Sequence, residues 1–388
     1  MREVVVIGVG QTKFGKFPEK TPVELGREAA LVALKDANIS PRQIQVAYIS
    51  RMLQSGPIPT GVTGQSILKE VGIKSIEIVN VQNDCAGGST AFRGVWKEIA
   101  NGLYDIGIAI GVESITTFPM VNSGKLLSPP RDDFEGQLGL TTPGFFALIA
   151  QRRMELYGDT SEDYAQVSVK NHHNGCLNPF AQYQKELTLE EILNSRMICN
   201  PITLLQCCPN TDGAAAAILC SKDVARRYTT NPIKVIGSAL LSGDYRYLQQ
   251  DITISPLGTK TAKMAYEMAG AGPEDIDVIE LHDAFAPEEI SRYEDLGLCK
   301  VGEGALLLRS GVTEIGGKIP VNPSGGLLSL GHPLSASGIR NIVEIVWHLR
   351  GDAGDRQTPN AKVGLAQMMG GSVAGLESGV CGIHILAR

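Results

Sequence analysis

"ALKDANISPRQIQVAYIS", residues 33–50, and "AYEMAGAGPEDIDVIELH", residues 265–282, read as one unit written twice. Ala33 aligns with Ala265, Ala37 with Ala269, Pro41 with Pro273, Ile44 with Ile276 and Val46 with Val278. Each copy has apolar residues at helical spacing, then a proline turn, then a short β-rich run. The stretches "VVIGVGQTKFG" near residue 5 and "KVIGSALLSGD" near residue 235 also pair off, at a slightly different offset. A small insertion or deletion therefore lies between the segments. Chance likeness of two α/β units is the competing reading; a duplicated domain is the expectation.

The remaining pattern agrees. Strands are predicted over Val4–Val9, Val46–Ile49 and Ile76–Val81. "DIGIAIGVES", residues 105–114, lacks polar alternation and reads as a strand buried on both faces. Helices are predicted over Val23–Ala37 and Ala91–Leu103. Alternation of this kind is that of an α/β fold with helices covering sheets. The expected halves are residues 1–231 and 232–388, meeting near Thr230, Asn231 and Pro232. Residues 119–205 have no counterpart in the second half and read as an insertion on the first. They carry the loop-like "PMVNSGKLLSPPRDDFEGQ", helical patterns over Ala147–Leu156 and Glu162–Lys170, and "HHNGCLNPFAQYQKELTLEE". Long insertions usually bring binding or assembly surface.

Composition narrows the function. The 388 residues are 43% hydrophobic and 20% charged, an ordinary globular balance with enough apolar chain for a large core. A net charge of -6 with no basic run argues against nucleic-acid binding, and 5% aromatic residues leave few platforms for bases. No apolar run reaches the roughly 18 residues of a membrane span. The N-terminal "MREVVVIGVGQTKFG" is too short for a signal sequence, and "HILAR" is no targeting signal. Eight cysteines show no CxxC and no His/Cys metal spacing, so no metal site is expected and reduced thiols in a cytoplasmic setting are.

Four stretches carry chemistry. In "NDCAGGSTAF", Cys85 stands on a strand-to-helix corner before Gly87 and Gly88. Such a corner exposes its apical residue, and helix-start N–H groups favour a thiolate. Asp84 works against that anion, and a buried structural thiol is the alternative. In "NPSGGLLSLGHPLSASG", residues 322–338, His332 sits on a rigid loop before Pro333, placed for general acid–base work or as a helix-capping turn residue. In "VIELHDAFAPEE", residues 278–289, a strand ends at His282, with Asp283 ready to orient an imidazole or cap the next helix; a satisfied core histidine is the alternative. In "VGLAQMMGGSVAG", residues 363–375, a strand runs into Gly370 and Gly371, either a plain turn or backbone donors for a ligand oxygen. His172, His173 and His348 read as loop or helix-surface residues without a role. "CCPNTDGAAAAIL", residues 207–219, reads as a turn into a closely packed small-residue segment.

In this order the four stretches resemble the thiolase family along essentially the whole chain. "NDCAGGSTA" is similar to its nucleophilic-cysteine motif, "TDGAAAAIL" to its mid-chain DGAA signature, and "GGLLSLGHPLSASG" to its GHP motif. "HDAF" resembles the variant of the sterol-carrier-type and archaeal branch. The resemblance implies a duplicated α-β-α-β-α fold of five layers, with two sheets, a shared helical layer and the insertion as a loop domain. It implies thiolytic cleavage of a 3-oxoacyl-CoA, or the reverse Claisen condensation, through an acyl-enzyme on Cys85. His332 would take the Cys85 proton, Cys85 and Gly370 N–H groups would hold the oxyanion, and His282 would stabilise the enolate. Coenzyme A is implied as co-substrate, with no tightly bound cofactor. A homodimer or tetramer is implied, with a small zinc-ribbon/OB-type subunit as a further partner. Related branches take bulky or aromatic substrates such as benzoylsuccinyl-CoA.

One departure stands out. Family members move the α-carbon proton with a second cysteine, and the two positions that supply it are here Ala284 and Met368. Cys381, in the expected last strand, is not expected to substitute, which leaves the step to His282, His332 or a bound water. Two other readings stay open: a thiolase-like retro-aldolase on acyl-CoA side chains, and a non-catalytic lipid-transfer or scaffold subunit.

Overall fold

A computed structural model describes residues 1–53, 61–116, 134–245, 251–374 and 376–388. Most of the loop-like stretch expected at 119–137 thus lies outside the described residues. The strands are β1 (Val4–Gln11), β2 (Val46–Ser50), β3 (Glu77–Val81), β4 (Ile106–Ser114), β5 (Met197–Cys199), β6 (Ile202–Thr203), β7 (Asp212–Ser221), β8 (Ile233–Ser242), β9 (Val278–Glu280), β10 (Val363–Ala374) and β11 (Glu377–Ala387). Among helices of eight residues or more, α1 is Pro22–Asp36, α2 Thr63–Val71 and α3 Gly87–Ala100. The others are α4 (Thr142–Tyr157), α5 (Ser161–Cys176), α6 (Pro256–Ala269), α7 (Ala286–Asp295) and α8 (Leu334–Arg350).

The sequence repeat is a structural repeat. The first copy is α1, a 3₁₀ turn at Pro41–Gln43, then β2; the second is α6, a 3₁₀ turn at Pro273–Asp275, then β9. Both helices start the same way, with a hydroxyl N-cap (Thr21 or Ser255) and proline at the first position. The main sheet runs β3-β2-β4-β7-β1-β8-β11-β10-β9. From its middle outward the halves mirror each other. β1 and β8 pair antiparallel with β7 and β11, which pair antiparallel with β4 and β10. These in turn pair parallel with β2 and β9. The two expected sheets meet at β1 and β8, where Val5 faces Lys234 and Val6 faces Ile233, so that nine strands form one continuous sheet.

Strand parity builds the layers. Val5 and Ile7 face outward and pack with Leu25, Ala29 and Ala33 of α1 and Ile67 and Leu68 of α2. Val4 and Val6 face inward, toward Phe92, Val95 and Ile99 of α3 and Ile339, Ile342 and Val346 of α8, which also cover Val235 and Leu386 of the second half. Beyond that half, α6 and α7 pack on Leu365, Ile383 and Ile385. The order is helix, sheet, helix, sheet, helix: the five-layer thiolase-like fold. β4 is buried along its whole length, as its unbroken apolar run requires.

The central helices approach through glycine. A Cβ on Gly88 would lie 2.5 Å from Ser335 O, and one on Gly338 would lie 2.5 Å from Ser89 N. This contact brings together the beginnings of α3 and α8, just after Cys85 and just after His332.

Several boundaries move. α3 begins at Gly87 rather than Ala91, because Gly87 and Gly88 are packed into the helix against Ser50 and Ser335 instead of breaking it. β10 runs through Gly370 and Gly371 to Ala374, where a strand end was expected; pairing of Gly370 with Val380 of β11 carries it on. His172 and His348 are buried, contrary to the surface reading. His172 stacks on Tyr183, and His348 Nδ1 accepts the Thr358 N–H at 3.0 Å. Among the described residues no helix is long and apolar enough to cross a membrane.

Candidate active site

Cys85 lies between β3 and α3 on a turn made by Asp84 in the left-handed region, at φ 52°. The Ala86 N–H donates to Asn83 O at 3.0 Å and the Gly87 N–H to Asp84 O at 3.0 Å, which fixes the corner. Gly370 of β10 lies directly against it. A Cβ there would come within 2.7 Å of both Ala86 N and Asn83 O, and 3.0 Å of Cys85 N, so only glycine lets the strand approach.

His282 follows β9 and His332 precedes α8. The His282 N–H donates to Gln367 Oε1 at 2.9 Å, and the His332 N–H donates to Thr211 Oγ1 at 3.1 Å. Thr211 belongs to the turn before β7, so the segment read as packing also seats a site histidine. The thiol of Cys85 and one ring nitrogen from each histidine lie within 4.8 Å of one another. The two rings meet edge to face, with centroids 5.4 Å apart. Three segments far apart in sequence thus converge, and all four expected residues are brought together.

Each imidazole is held from behind. His282 Nδ1 lies 2.8 Å from Glu288 Oε1, and His332 Nδ1 lies 2.8 Å from Ser337 Oγ. Both Nε2 atoms are buried without a hydrogen-bond partner among the described residues. Sequence spacing could not reveal this cluster, because each member comes from a different segment.

The expectation of a helix-stabilised thiolate is corrected. Burial pushes the Cys85 thiol well above its ordinary range, and the Asp84, Cys208, Glu288 and Glu113 charges add to the shift. Desolvation outweighs the nearby helix start because α3 begins two residues later, at Gly87. His332 is pushed the other way, well below the ordinary histidine value, by burial first and then by the neighbouring His282 and Arg340. The resting pair is therefore a neutral thiol beside a neutral imidazole.

Asp283 takes neither role expected of it. Its carboxylate accepts Asn171 Nδ2 at 2.8 Å and the Leu327 N–H at 2.6 Å, tying α5 and the glycine loop before His332 to the His282 corner. Glu288 orients the imidazole instead. Nothing in the sequence marked it: it sits six residues on, in the first turn of α7, and only the fold of the corner returns it to His282. Sequence reasoning also missed Glu289. It accepts Lys170 Nζ at 2.5 Å, Asn171 Nδ2 at 2.8 Å and Asn322 Nδ2 at 2.7 Å, and so joins α5, α7 and the glycine loop beneath the site.

An apolar wall surrounds the sulfur. Half-buried Cys85 packs with Ala86, Phe145, Phe146, Phe285, Leu327 and Met368. Phe145 and Phe146 come from α4 in the inserted stretch, and Phe146 stacks on Phe285 at 4.7 Å. Ala284 and Met368 both belong to this cluster, so the places of the second cysteine are beside the site and hold no thiol. Cys381 belongs to the core on the far side of the sheet, where Gln367 Nε2 donates to its sulfur at 3.8 Å. All eight cysteines are free, and Cys220 and Cys381 are fully buried.

The family model "Thiolase, N-terminal domain" matches residues 4–223, and "Thiolase C-terminal domain-like" matches residues 244–381. The acetyl-CoA acetyltransferase of Methanothermobacter thermautotrophicus is 40% identical over 390 residues, covering 100% of both chains. The benzoylsuccinyl-CoA thiolase subunit BbsB of Thauera aromatica is 40% identical over 374 residues, covering 95% of each. Among solved structures, an Ltp2–ChsH2(DUF35) aldolase superposes with a TM-score of 0.84 at 26% identity, covering 100% of this chain and 98% of that one. The chain belongs to the thiolase family.

Proposed function

We propose that this acyltransferase of the thiolase family cleaves a 3-oxoacyl-CoA with coenzyme A, or runs the reverse Claisen condensation, through an acyl-enzyme on Cys85. The observation that carries the reading is the convergence of the Cys85 sulfur with nitrogens of two imidazoles within 4.8 Å. Neutral His332 takes the thiol proton as the sulfur attacks the 3-oxo carbon, so the thiolate exists only with its acceptor beside it. The N–H groups of Cys85 and Gly370 hold the oxyanion; contact between the two backbones supports that pairing. His282 stabilises the enolate of the departing acyl-CoA. Coenzyme A then collects the acyl group from the sulfur.

The phenylalanine wall at Phe145, Phe146 and Phe285 supports a bulky or aromatic acyl group. A 40% identical relative is named for benzoylsuccinyl-CoA, which is the substrate we favour. That relative is named as a subunit, and the aldolase structure is of an assembly; both support a small second subunit here, of zinc-ribbon/OB type, on a homodimer or tetramer. Division into halves at 231/232, with the insertion at 119–205 as a loop domain, remains our reading of the chain.

Likeness to an aldolase favours one second reading, retro-aldol cleavage of an acyl-CoA side chain. Product analysis separates them. Thiolysis consumes coenzyme A and releases two acyl-CoA molecules, whereas a retro-aldolase releases an aldehyde or ketone and one acyl-CoA. Replacing Cys85 by alanine should abolish thiolysis; carbon–carbon cleavage that persists in Cys85→Ala would establish the aldolase reading instead.

A further inference from the structure

Cleavage leaves an electron pair on the α-carbon of the departing acyl-CoA, and a proton must reach it. Neither Ala284 nor Met368 carries a thiol, although both line the site. Cys381 is in another core, the Cys207 sulfur is engaged with Thr203 O at 3.4 Å, and Cys208 packs on the same apolar cluster but is not one of the groups gathered at the Cys85 sulfur. Among the described His, Cys, Asp and Glu side chains, those gathered within 4.8 Å of one another at the site are Cys85, His282 and His332.

The two imidazoles differ in what stands behind them. Among the described residues His332 Nδ1 meets the Ser337 hydroxyl, which adds no charge. His282 Nδ1 meets the Glu288 carboxylate at 2.8 Å, with both side chains buried at 7% and 2% exposure. Arg292 braces that carboxylate from the next turn of α7, its Nε 3.8 Å from Glu288 Oε1. A buried carboxylate on one ring nitrogen fixes the tautomer and supports a proton on the other. His282 Nε2, the free nitrogen, is buried and unpartnered among the described residues. Paired groups whose surroundings differ in this way divide acid from base work.

We propose that Glu288 is a positioning residue that makes His282 the proton carrier for the α-carbon, in place of a second thiol. The assignment rests on the acyl-enzyme reading above. As the carbon–carbon bond breaks, the electron pair passes to the α-carbon, which takes the proton of His282 Nε2. The proton removed from Cys85 stays on His332. When the coenzyme A sulfur attacks the acyl-enzyme, its thiol proton restores His282, and His332 returns its proton to the Cys85 sulfur. Both imidazoles end as they began.

The test measures two half-reactions of the protein: exchange of acyl-CoA α-protons with deuterated solvent, and transfer of the acyl group of a simple acyl-CoA to Cys85, which breaks no carbon–carbon bond, followed by mass spectrometry. In Glu288→Gln we expect exchange to fall by roughly 10²–10⁴-fold, the usual worth of a positioned acid–base group. Acyl transfer to Cys85 should persist, and Glu288→Asp should recover part of the exchange. Unchanged exchange in Glu288→Gln would overturn the assignment. Equal loss of both half-reactions in both variants would overturn it too, by showing a role in folding alone. Absence of any adduct in the unaltered protein would instead defeat the acyl-enzyme reading, a separate result.

Discussion

Cys85 shows how far a single residue can be read. Its glycine-flanked corner, and the two histidines on turns, were legible because such chemistry has local signatures. Protonation was not legible, because it depends on burial, which no local stretch reveals. The structure holds the thiol well above its ordinary range. We therefore expect alkylation of Cys85 at neutral pH to be slower than that of an unperturbed thiol and to rise steadily into alkaline solution, since only the thiolate reacts. Site-resolved mass spectrometry would measure it; fast, pH-independent labelling near neutrality would show a preformed thiolate. Gly370 makes a second prediction. In Gly370→Ala the new methyl meets Ala86 N and Asn83 O at 2.7 Å, both backbone atoms that cannot swing away. We expect about 1–3 kcal/mol lost from stability and a larger loss of thiolysis, as the Cys85 corner is pushed from the histidines. Wild-type turnover in that variant would remove Gly370 from the site.

Elements were legible in kind more than in extent. Helical spacing found α1, the repeat pointed to the end of α6 and a short apolar run found β1, but glycine misled at both α3 and β10. A glycine demanded by tertiary contact looks the same in sequence as one that ends an element. At the end of β4, fully buried Glu113 accepts the Met52 N–H at 3.0 Å and the Leu53 N–H at 3.3 Å. Burial outweighs these bonds and the nearby Arg51 and raises its carboxyl from 4.5 to about 7. The folded protein thus holds this proton more tightly than the unfolded chain. Its contribution to stability is complete below pH 4.5 and is lost as pH rises through about 7. Compared with Glu113→Gln, which keeps the shape without the charge, the unaltered protein should lose about 3 kcal/mol across that window. Thermal midpoints of both proteins measured from pH 4 to 8 would show a widening gap; a constant gap would mean that the carboxyl stays ionised.

The whole molecule joins what the sequence keeps apart. Duplication was legible because two copies of helix, turn and strand share a pattern. Continuity of the sheet through β1 and β8 was not, since it rests on two residue pairs that carry no signal of their own. Nor was the partnership of His282 with Glu288, which needs the folded corner. The shared helical layer converts the duplication into a site: α3 follows Cys85, α8 follows His332, and Gly88 and Gly338 let them touch. Gly338→Ala would place a methyl 2.5 Å from Ser89 N, and should cost about 1–3 kcal/mol of stability. It should also lower activity, although it touches no reacting group. Calorimetry together with thiolysis rates would separate the two effects; an undisturbed rate would mean that the site does not depend on this crossing. The most direct test of the acyl-enzyme account is intact-protein mass spectrometry after mixing with a 3-oxoacyl-CoA in the absence of free coenzyme A. The account predicts an acyl adduct that maps to Cys85, with one shortened acyl-CoA released, and neither product in Cys85→Ala. An unmodified Cys85 with no shortened acyl-CoA released would contradict it.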